Sequence, residues 1–300
     1  MTSIASPVAS PCTGVCAIDA DTGWCQGCLR SLDEIAAWGA LDVAGRGAVW
    51  AQLPRRRAAQ ERATREPAPA RAPGRPGAAG ERERGQIVKR VDFWFDPISP
   101  YAYLAFERLP EAFVGLSYDV AYRPIVFGAL LKAFDHKGPA EIEPKRQWTF
   151  RQVHWLAHRA GIAMDTPARH PFNPIALSRL AWATAPDGLT PGRYACETIL
   201  HHIWRGGADA EDPARLAALV ALLALRLGPA SDEAKRRLRD ATDAALARGL
   251  FGVPTIGIDD KLFWGFDALD MAAAYLRGDP WFDEPHWQRE GALRPGVTRR

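Results

Sequence analysis

The stretch VDFWFDPISPYAYLAF, Val91 to Phe106, decides how this chain is read. Val91–Phe95 is a short apolar run of strand-forming residues, Asp96-Pro97 marks a sharp turn, and Ser99-Pro100 opens a helix. Serine directly before a proline at the first helical position is a good helix cap, and starting the helix could be its whole task. A strand feeding straight into this turn, however, aims the hydroxyl off the edge of a sheet. The free N–H groups of the first helical turn favour negative charge at that point. The nearest cysteines are Cys28 and Cys196, so no thiol of the chain's own belongs to the turn.

A second informative stretch, FGVPTIGIDDKLFWGFDAL from Phe251 to Leu269, reads as a Val-Pro bend leading into a hairpin and a helix. Between the two lie a strand, LSYDVAYRP, and a long helical region. Lys145–Arg159 and Asn173–Ala183 have helical spacing. Asp212-Pro213 caps a helix with an apolar stripe of Leu216, Leu219, Val220 and Leu223, and Asp232–Arg248 is a charged amphipathic helix closed by Gly249. Asp267 is read as the cap of a last helix through Arg277.

The order is therefore βαβ, a helical insertion at about 125–249, then ββα. The expected fold class is α/β: a thioredoxin-like fold with a large helical insertion, plus a small N-terminal four-cysteine metal-binding module. The expected divisions are the module at 1–53, a disordered linker at 54–86, the thioredoxin-like domain at 87–282 and a flexible tail at 283–300. In thioredoxin-like folds the residue before a cis-proline offers its backbone to an extended peptide. Val253-Pro254 would fill that role, with an ordinary trans-proline as the alternative. A thiol tripeptide laid against Val253 would bring its sulfur near Ser99. Lowering a free thiol's pKa by about two units takes roughly 2.7 kcal/mol. One hydroxyl donating to a charged acceptor gives about 1.5–3 kcal/mol, and a helix end adds about 0.3–1. Together they suffice.

Composition bounds the rest. A formal net charge of +3 on 300 residues argues against a nucleic-acid protein. No run of 18 apolar residues suggests a membrane span, and MTSIASPVASPC lacks the pattern of a secretory signal, so a cytoplasmic location is expected. Cys12, Cys16, Cys25 and Cys28 have the spacing of a metal site, in which a short loop brings two pairs of thiolates together. Zinc and an iron–sulfur cluster both suit such ligands, and two disulfides are the weaker alternative. Ser31 with Glu34 forms a capping box for the helix that follows. Cys196 reads as a small buried hydrophobe. His154 and His158 stand at metal-ligand spacing but lack the intervening glutamate, and His201-His202 is no better.

FDPISPYAYLA, RPIVFGALLKA, Lys145, HPFNP and LFGVPTIGIDDKLFWGFDALDM resemble the 2-hydroxychromene-2-carboxylate isomerases, relatives of kappa-class glutathione transferases with a DsbA-like thioredoxin fold. The resemblance spans the unit from Ile87 to Trp281. It implies that glutathione is a cofactor, activated by Ser99 and bound by Val253, Pro254, Lys145 and Asp267. It implies substrate contacts by Asn173, with Tyr101 and Trp264 flanking a small aromatic substrate, and a homodimer. His136 stands where the family has an asparagine, and Phe266 where it prefers a small polar residue, which puts two glutathione contacts in doubt. The segment from Cys12 to Trp38 resembles a family of uncharacterised bacterial four-cysteine proteins, often predicted to carry an iron–sulfur cluster. A kappa-like transferase and a non-catalytic glutathione- or peptide-binding adapter are the alternatives to an isomerase. The absence of a Cys-x-x-Cys at the Ser99 turn disfavours a disulfide oxidoreductase.

Overall fold

The computed structural model describes residues 8, 10–13, 15–16, 18–19, 22–38, 41–65 and 88–291 of the chain. Its five strands are β1 (Val15–Cys16), β2 (Lys89–Phe95), β3 (Tyr118–Pro124), β4 (Thr255–Ile258) and β5 (Lys261–Trp264), arranged β1-β3-β2-β4-β5. β2 runs parallel to β3, with Val91 opposite Val120, and antiparallel to β4, with Trp94 opposite Thr255. β4 and β5 form a hairpin that turns at Asp259-Asp260, where Asp259 takes φ +54°.

β2 lies inside the sheet, which explains why VDFWF is an apolar run and not a strict alternation. Val91, Phe93 and Phe95 enter one core, while Trp94 points into another with Ile125, Leu130, Trp182 and Leu238. In the first core Phe106 packs on Tyr122 at a ring separation of 5.2 Å and on Phe93 at 6.2 Å. Such tilted or edge-on pairs add about 0.5–1.5 kcal/mol each beyond the area they bury.

Ahead of β2 come α1 (Leu32–Ala37) and α2 (Val43–Arg65). The capping box at Ser31 and Glu34 is present, with both bonds made. Arg56 clamps α2 to this corner, since its guanidinium lies 2.5 Å from Glu34 and donates to the Leu29 carbonyl at 2.8 Å. Here the structure departs from the expectation that a linker begins at Pro54: α2 continues through Pro54 to Arg65. The residues between are mostly Arg, Ala and Gln, good helix formers, and Arg56 ties their first turn to the module. The remainder of the expected linker, 66–86, lies outside the described residues. A second difference is that the N-terminal segment does not stand apart. β1 pairs antiparallel with β3, and Cys25, Cys28 and Ile35 join the main core.

α3 (Pro100–Ala112) connects β2 to β3. The helical region between β3 and β4 comprises α4 (Phe127–Ala133), α5 (Glu143–Arg159), α6 (Ile175–Thr184), α7 (Arg193–Trp204), α8 (Pro213–Leu222) and α9 (Asp232–Ala247). Asp212 and Ser231 cap α8 and α9 through their side chains, and Cys196 is fully buried within α7. α6 begins two residues later than expected, because the Asn173 side chain accepts the Ile175 N–H and ends the preceding turn. α10 (Leu269–Leu276) likewise begins after Ala268, so Asp267 is not its cap. The Gly265 N–H bonds back to the Pro254 carbonyl at 2.9 Å and Ala268 N–H to Gly265, so a tight turn occupies those residues first. The tail expected from 283 is also shorter: α11 (Pro285–Gly291) is helical, and Trp287 packs on Phe282 at 5.4 Å. Residues 292–300 lie outside the described set. None of the described helices is long and apolar enough to cross a membrane.

Two glycines provide a paired test of this packing. A β-carbon on Gly257 in β4 would sit 2.5 Å from the Trp94 ring, whereas one on Gly128 in α4 meets nothing within 4 Å. Gly257→Ala is expected to lower stability by about 1–3 kcal/mol, and Gly128→Ala to leave it unchanged or raise it by up to about 1 kcal/mol. Urea unfolding of the two variants checks both values.

Candidate functional site

The site forms where β2 and β4 end side by side. Beyond β2 the chain folds back at once: the Ser99 N–H bonds to the Asp96 carbonyl at 3.0 Å. Pro100, with its fixed φ and no N–H to satisfy, starts α3. The Ser99 hydroxyl accepts the Ala102 N–H at 3.2 Å, which fixes its place at the positive end of the helix. It is 8% exposed. Its own proton points to the Val253 carbonyl at 3.5 Å, the outer limit of a hydrogen bond, so it is only loosely committed. Val253-Pro254 is cis. The two segments that the sequence sets 154 residues apart are thus in contact.

Trp264 pairs with Thr255 across the hairpin and is 54% exposed. Its ring packs edge-on against Phe251 at 4.8 Å and covers Gly252 so closely that no side chain could stand there. It therefore forms one wall beside Val253. The opposite wall comes from α3 and α5. The Tyr101 hydroxyl donates to Gln152 at 2.6 Å. Burial raises the Tyr101 pKa, a Thr149 hydrogen bond pulls it back, and the charge of Asp267 raises it further. Asp267 thus lies within electrostatic reach of the first turn of α3, with its carboxylate exposed. Lys145 is exposed on the first turn of α5, seven residues before Gln152 and so on the same face of that helix.

Other expected residues are less well gathered. His136 is exposed just after α4, and among the described contacts only its backbone is engaged, to Leu131. Asn173 is exposed, with its oxygen occupied by the Ile175 N–H. Its neighbour His170 reaches the site instead, because the His170 Nε2 bonds the Ile98 carbonyl at 2.9 Å. Burial lowers the His170 pKa, the Ile98 bond raises it, and the Arg146 charge lowers it again.

Three residues of this neighbourhood escape sequence reasoning. Gln152 could have been found from its seven-residue offset to Lys145. His170 carries no distinguishing signal within HPFNP. Asp96, in the turn itself, reads as a simple turn former, but it is fully buried. Burial raises its pKa to about 7, against two backbone hydrogen bonds that favour the charged form.

Cys25 and Cys28 are buried neighbours, and the side-chain bond between them, with burial, holds the Cys28 thiol well above its ordinary range. Arg30 donates to the Cys28 sulfur at 3.4 Å. Cys12 acts on Tyr122 and Arg193 instead, and the Cys16 side chain lies outside the described residues. No three thiols gather within 4.8 Å among the described residues, and the fourth cysteine of the expected zinc or iron–sulfur site, Cys16, has its side chain outside that set. Glu107, Glu197 and His201 do gather within that distance. They belong to an ion-pair network, with Arg205 3.3 Å from Glu107 and Arg193 4.0 Å from Glu197. Burial pushes Glu107 up, but His201 and the arginines outweigh it and leave the carboxyl below its ordinary range.

Known proteins resemble both parts of the chain. A model of the DSBA-like thioredoxin domain matches residues 90–277, and one of a protein family of unknown function, DUF1289, matches residues 10–57. The 2-hydroxychromene-2-carboxylate isomerase of Sphingobium xenophagum is 30% identical over 200 residues, 63% of this chain and 99% of that protein. Glutathione S-transferase kappa 1 of Homo sapiens is 23% identical over 237 residues, 72% of this chain and 99% of its own. A solved 2-hydroxychromene-2-carboxylate isomerase shares the fold, with a TM-score of 0.55 at 23% identity over 68% of this chain and 100% of that chain. With the family match covering the sheet from β2 onward, the Ser99 turn and the cis-proline bend, the chain belongs to the DSBA-like thioredoxin domain family.

Proposed function

We propose that the chain is a glutathione-dependent isomerase of aromatic ring-cleavage products, interconverting 2-hydroxychromene-2-carboxylate and trans-o-hydroxybenzylidenepyruvate or a close relative. The observation that carries this reading is the Ser99 hydroxyl at the start of α3, facing the Val253 carbonyl beside a cis-proline. The residues fit glutathione on chemical grounds. A loosely held hydroxyl and a helix N-terminus suit a thiolate, and an exposed lysine and an exposed aspartate suit the carboxylate and ammonium of a zwitterionic peptide. When bound, the tripeptide would supply a nucleophilic sulfur that is regenerated as the ring opens, a carbon–carbon bond rotates and the product leaves.

In this reading the Ser99 hydroxyl donates a hydrogen bond to the sulfur and, with the α3 terminus, holds it as the anion. Val253 and Pro254 align the peptide backbone. Lys145 binds a carboxylate and Asp267 the ammonium, with His136 as a further donor. Tyr101, Trp264 and Asn173 line the space for a small aromatic substrate, and Gln152 fixes the Tyr101 ring. A cytoplasmic location and a homodimer complete the proposal. No step passes through the N-terminal cysteines.

A second reading, a kappa-like transferase, is favoured by the match to glutathione S-transferase kappa 1. Free-thiol titration during turnover separates the two. An isomerase leaves the total thiol unchanged while product accumulates, and a transferase consumes one thiol per product.

Ser99→Ala tests the shared premise. Removing a hydroxyl donor to a charged acceptor takes away about 1.5–3 kcal/mol, equivalent to a rise of about 1–2 units in the thiol pKa. The ultraviolet absorbance of bound thiolate at neutral pH is expected to fall to a small fraction of the wild-type value, with the thermal midpoint lowered only by the few degrees that a lost helix cap costs. Equal absorbance in the variant overturns the assignment of Ser99.

A further inference from the structure

Asp96 ends the turn that presents Ser99, yet no role assigned so far uses its side chain. It is fully buried and binds through three atoms. One carboxylate oxygen accepts the Ile98 N–H at 3.0 Å and the other the Phe127 N–H at 2.8 Å. Its backbone carbonyl accepts the Ser99 N–H at 3.0 Å. The Ile98 bond alone would be an ordinary turn device. The bond to Phe127 is different in kind, because it reaches 31 residues along the chain to the first residue of α4. A side chain that only shaped the turn would have no need of complete burial or of this second tie.

We propose that Asp96 is a positioning residue for the thiol site: its carboxyl clamps the Ser99 turn to the start of α4, and its charge opposes that of a thiolate held at Ser99. This rests on the glutathione reading above. Among the described residues no cation pairs with the carboxyl. Burial and the two N–H bonds account for its shift, with no charged group contributing. The titratable and charged groups on the packed elements are engaged elsewhere. From the loop before α6, His170 bonds the Ile98 carbonyl and is kept below its usual pKa by burial. Asp92 on β2, Arg123 on β3 and Arg248 after α9 pair with one another, Asp92 lying 2.7 Å from Arg123 and 3.3 Å from Arg248. From α9, Thr242 bonds the Val126 N–H next to Phe127. On the α3 side stand Ser99, uncharged, and Tyr101, whose phenol is raised.

A carboxyl that gives up its proton near pH 7 changes charge where a thiolate site works. Two anions sharing one turn raise each other's pKa, and their titrations merge into steps that belong to the pair. Wild-type protein therefore holds thiolate most readily while Asp96 is still protonated.

The test uses glutathione itself and reads its thiolate absorbance against pH, in full-length wild type and in Asp96→Asn. Wild type is expected to titrate broadly, in two steps. The variant is expected to titrate in one step, with the thiol pKa lowered by about one unit. A clamp with no charge role predicts the opposite, since a loosened Ser99 turn raises the thiol pKa; an unchanged or raised value overturns the proposal. Because the variant could fail to fold, the infrared band of protonated carboxyl is followed in wild type as well. Adding glutathione should carry that band to higher pH, and a band that does not move overturns the proposal. A wild type that shows no thiolate at any pH removes the glutathione reading and this inference together. A clear wild-type thiolate with an unmoved carboxyl removes this inference alone.

Discussion

The antiparallel register of β2 against β4 is the constraint on which the site depends. Trp94 stands opposite Thr255, so the residues just past the end of one strand adjoin those just before the start of the other. That places the Ser99 turn against Val253-Pro254, where one long hydrogen bond joins the two loops. Register in turn is held by burial on both faces. Phe93 and Phe95 fill one core and Trp94 the other, and a slip of one residue would exchange them. The chemistry at Ser99 is therefore underwritten by aromatic packing several residues away.

What the fold brings together there is electrostatically simple. The helix terminus and the hydroxyl favour an anion, and no cationic side chain bonds the Ser99 hydroxyl among the described residues. Asp96 works against that preference from beneath. Its two N–H bonds fix the turn in space, but burial leaves its charge poorly solvated. A site that gains geometric precision from a buried acid takes on sensitivity to protons with it.

Much of this was legible in the residues themselves. The run VDFWF, the Ser-Pro helix start, the caps at Asp212 and Ser31 and the hairpin after Pro254 all rest on local rules of strand burial, capping and turn chemistry, and they emerge as written. The misreadings are non-local. Pro54 and the arginines after it look like a tether by composition, but Arg56 finds Glu34 and keeps α2 going. Asp267 has the residue type of a cap, yet the Gly265 bond to Pro254 claims the turn and delays α10. Gln152 and the burial of Asp96 depend on which helix packs over which strand end, and no spacing within one segment carries that information. Of the four cysteines, Cys25 and Cys28 enter the main core and Cys12 lies just ahead of β1, within electrostatic reach of Tyr122, placements that their spacing alone does not give.

The placement of β1 has a bearing on assembly. By pairing with Tyr118 and Asp119 it occupies the start of β3, where exposed backbone groups would otherwise offer a template to another polypeptide. Among the described strands the sheet ends in β1, two residues long, on one side and in β5, four residues long, on the other. A foreign strand added to β5 would run alongside Trp264, so growth of the sheet on the hairpin side would bear directly on the aromatic wall beside Val253.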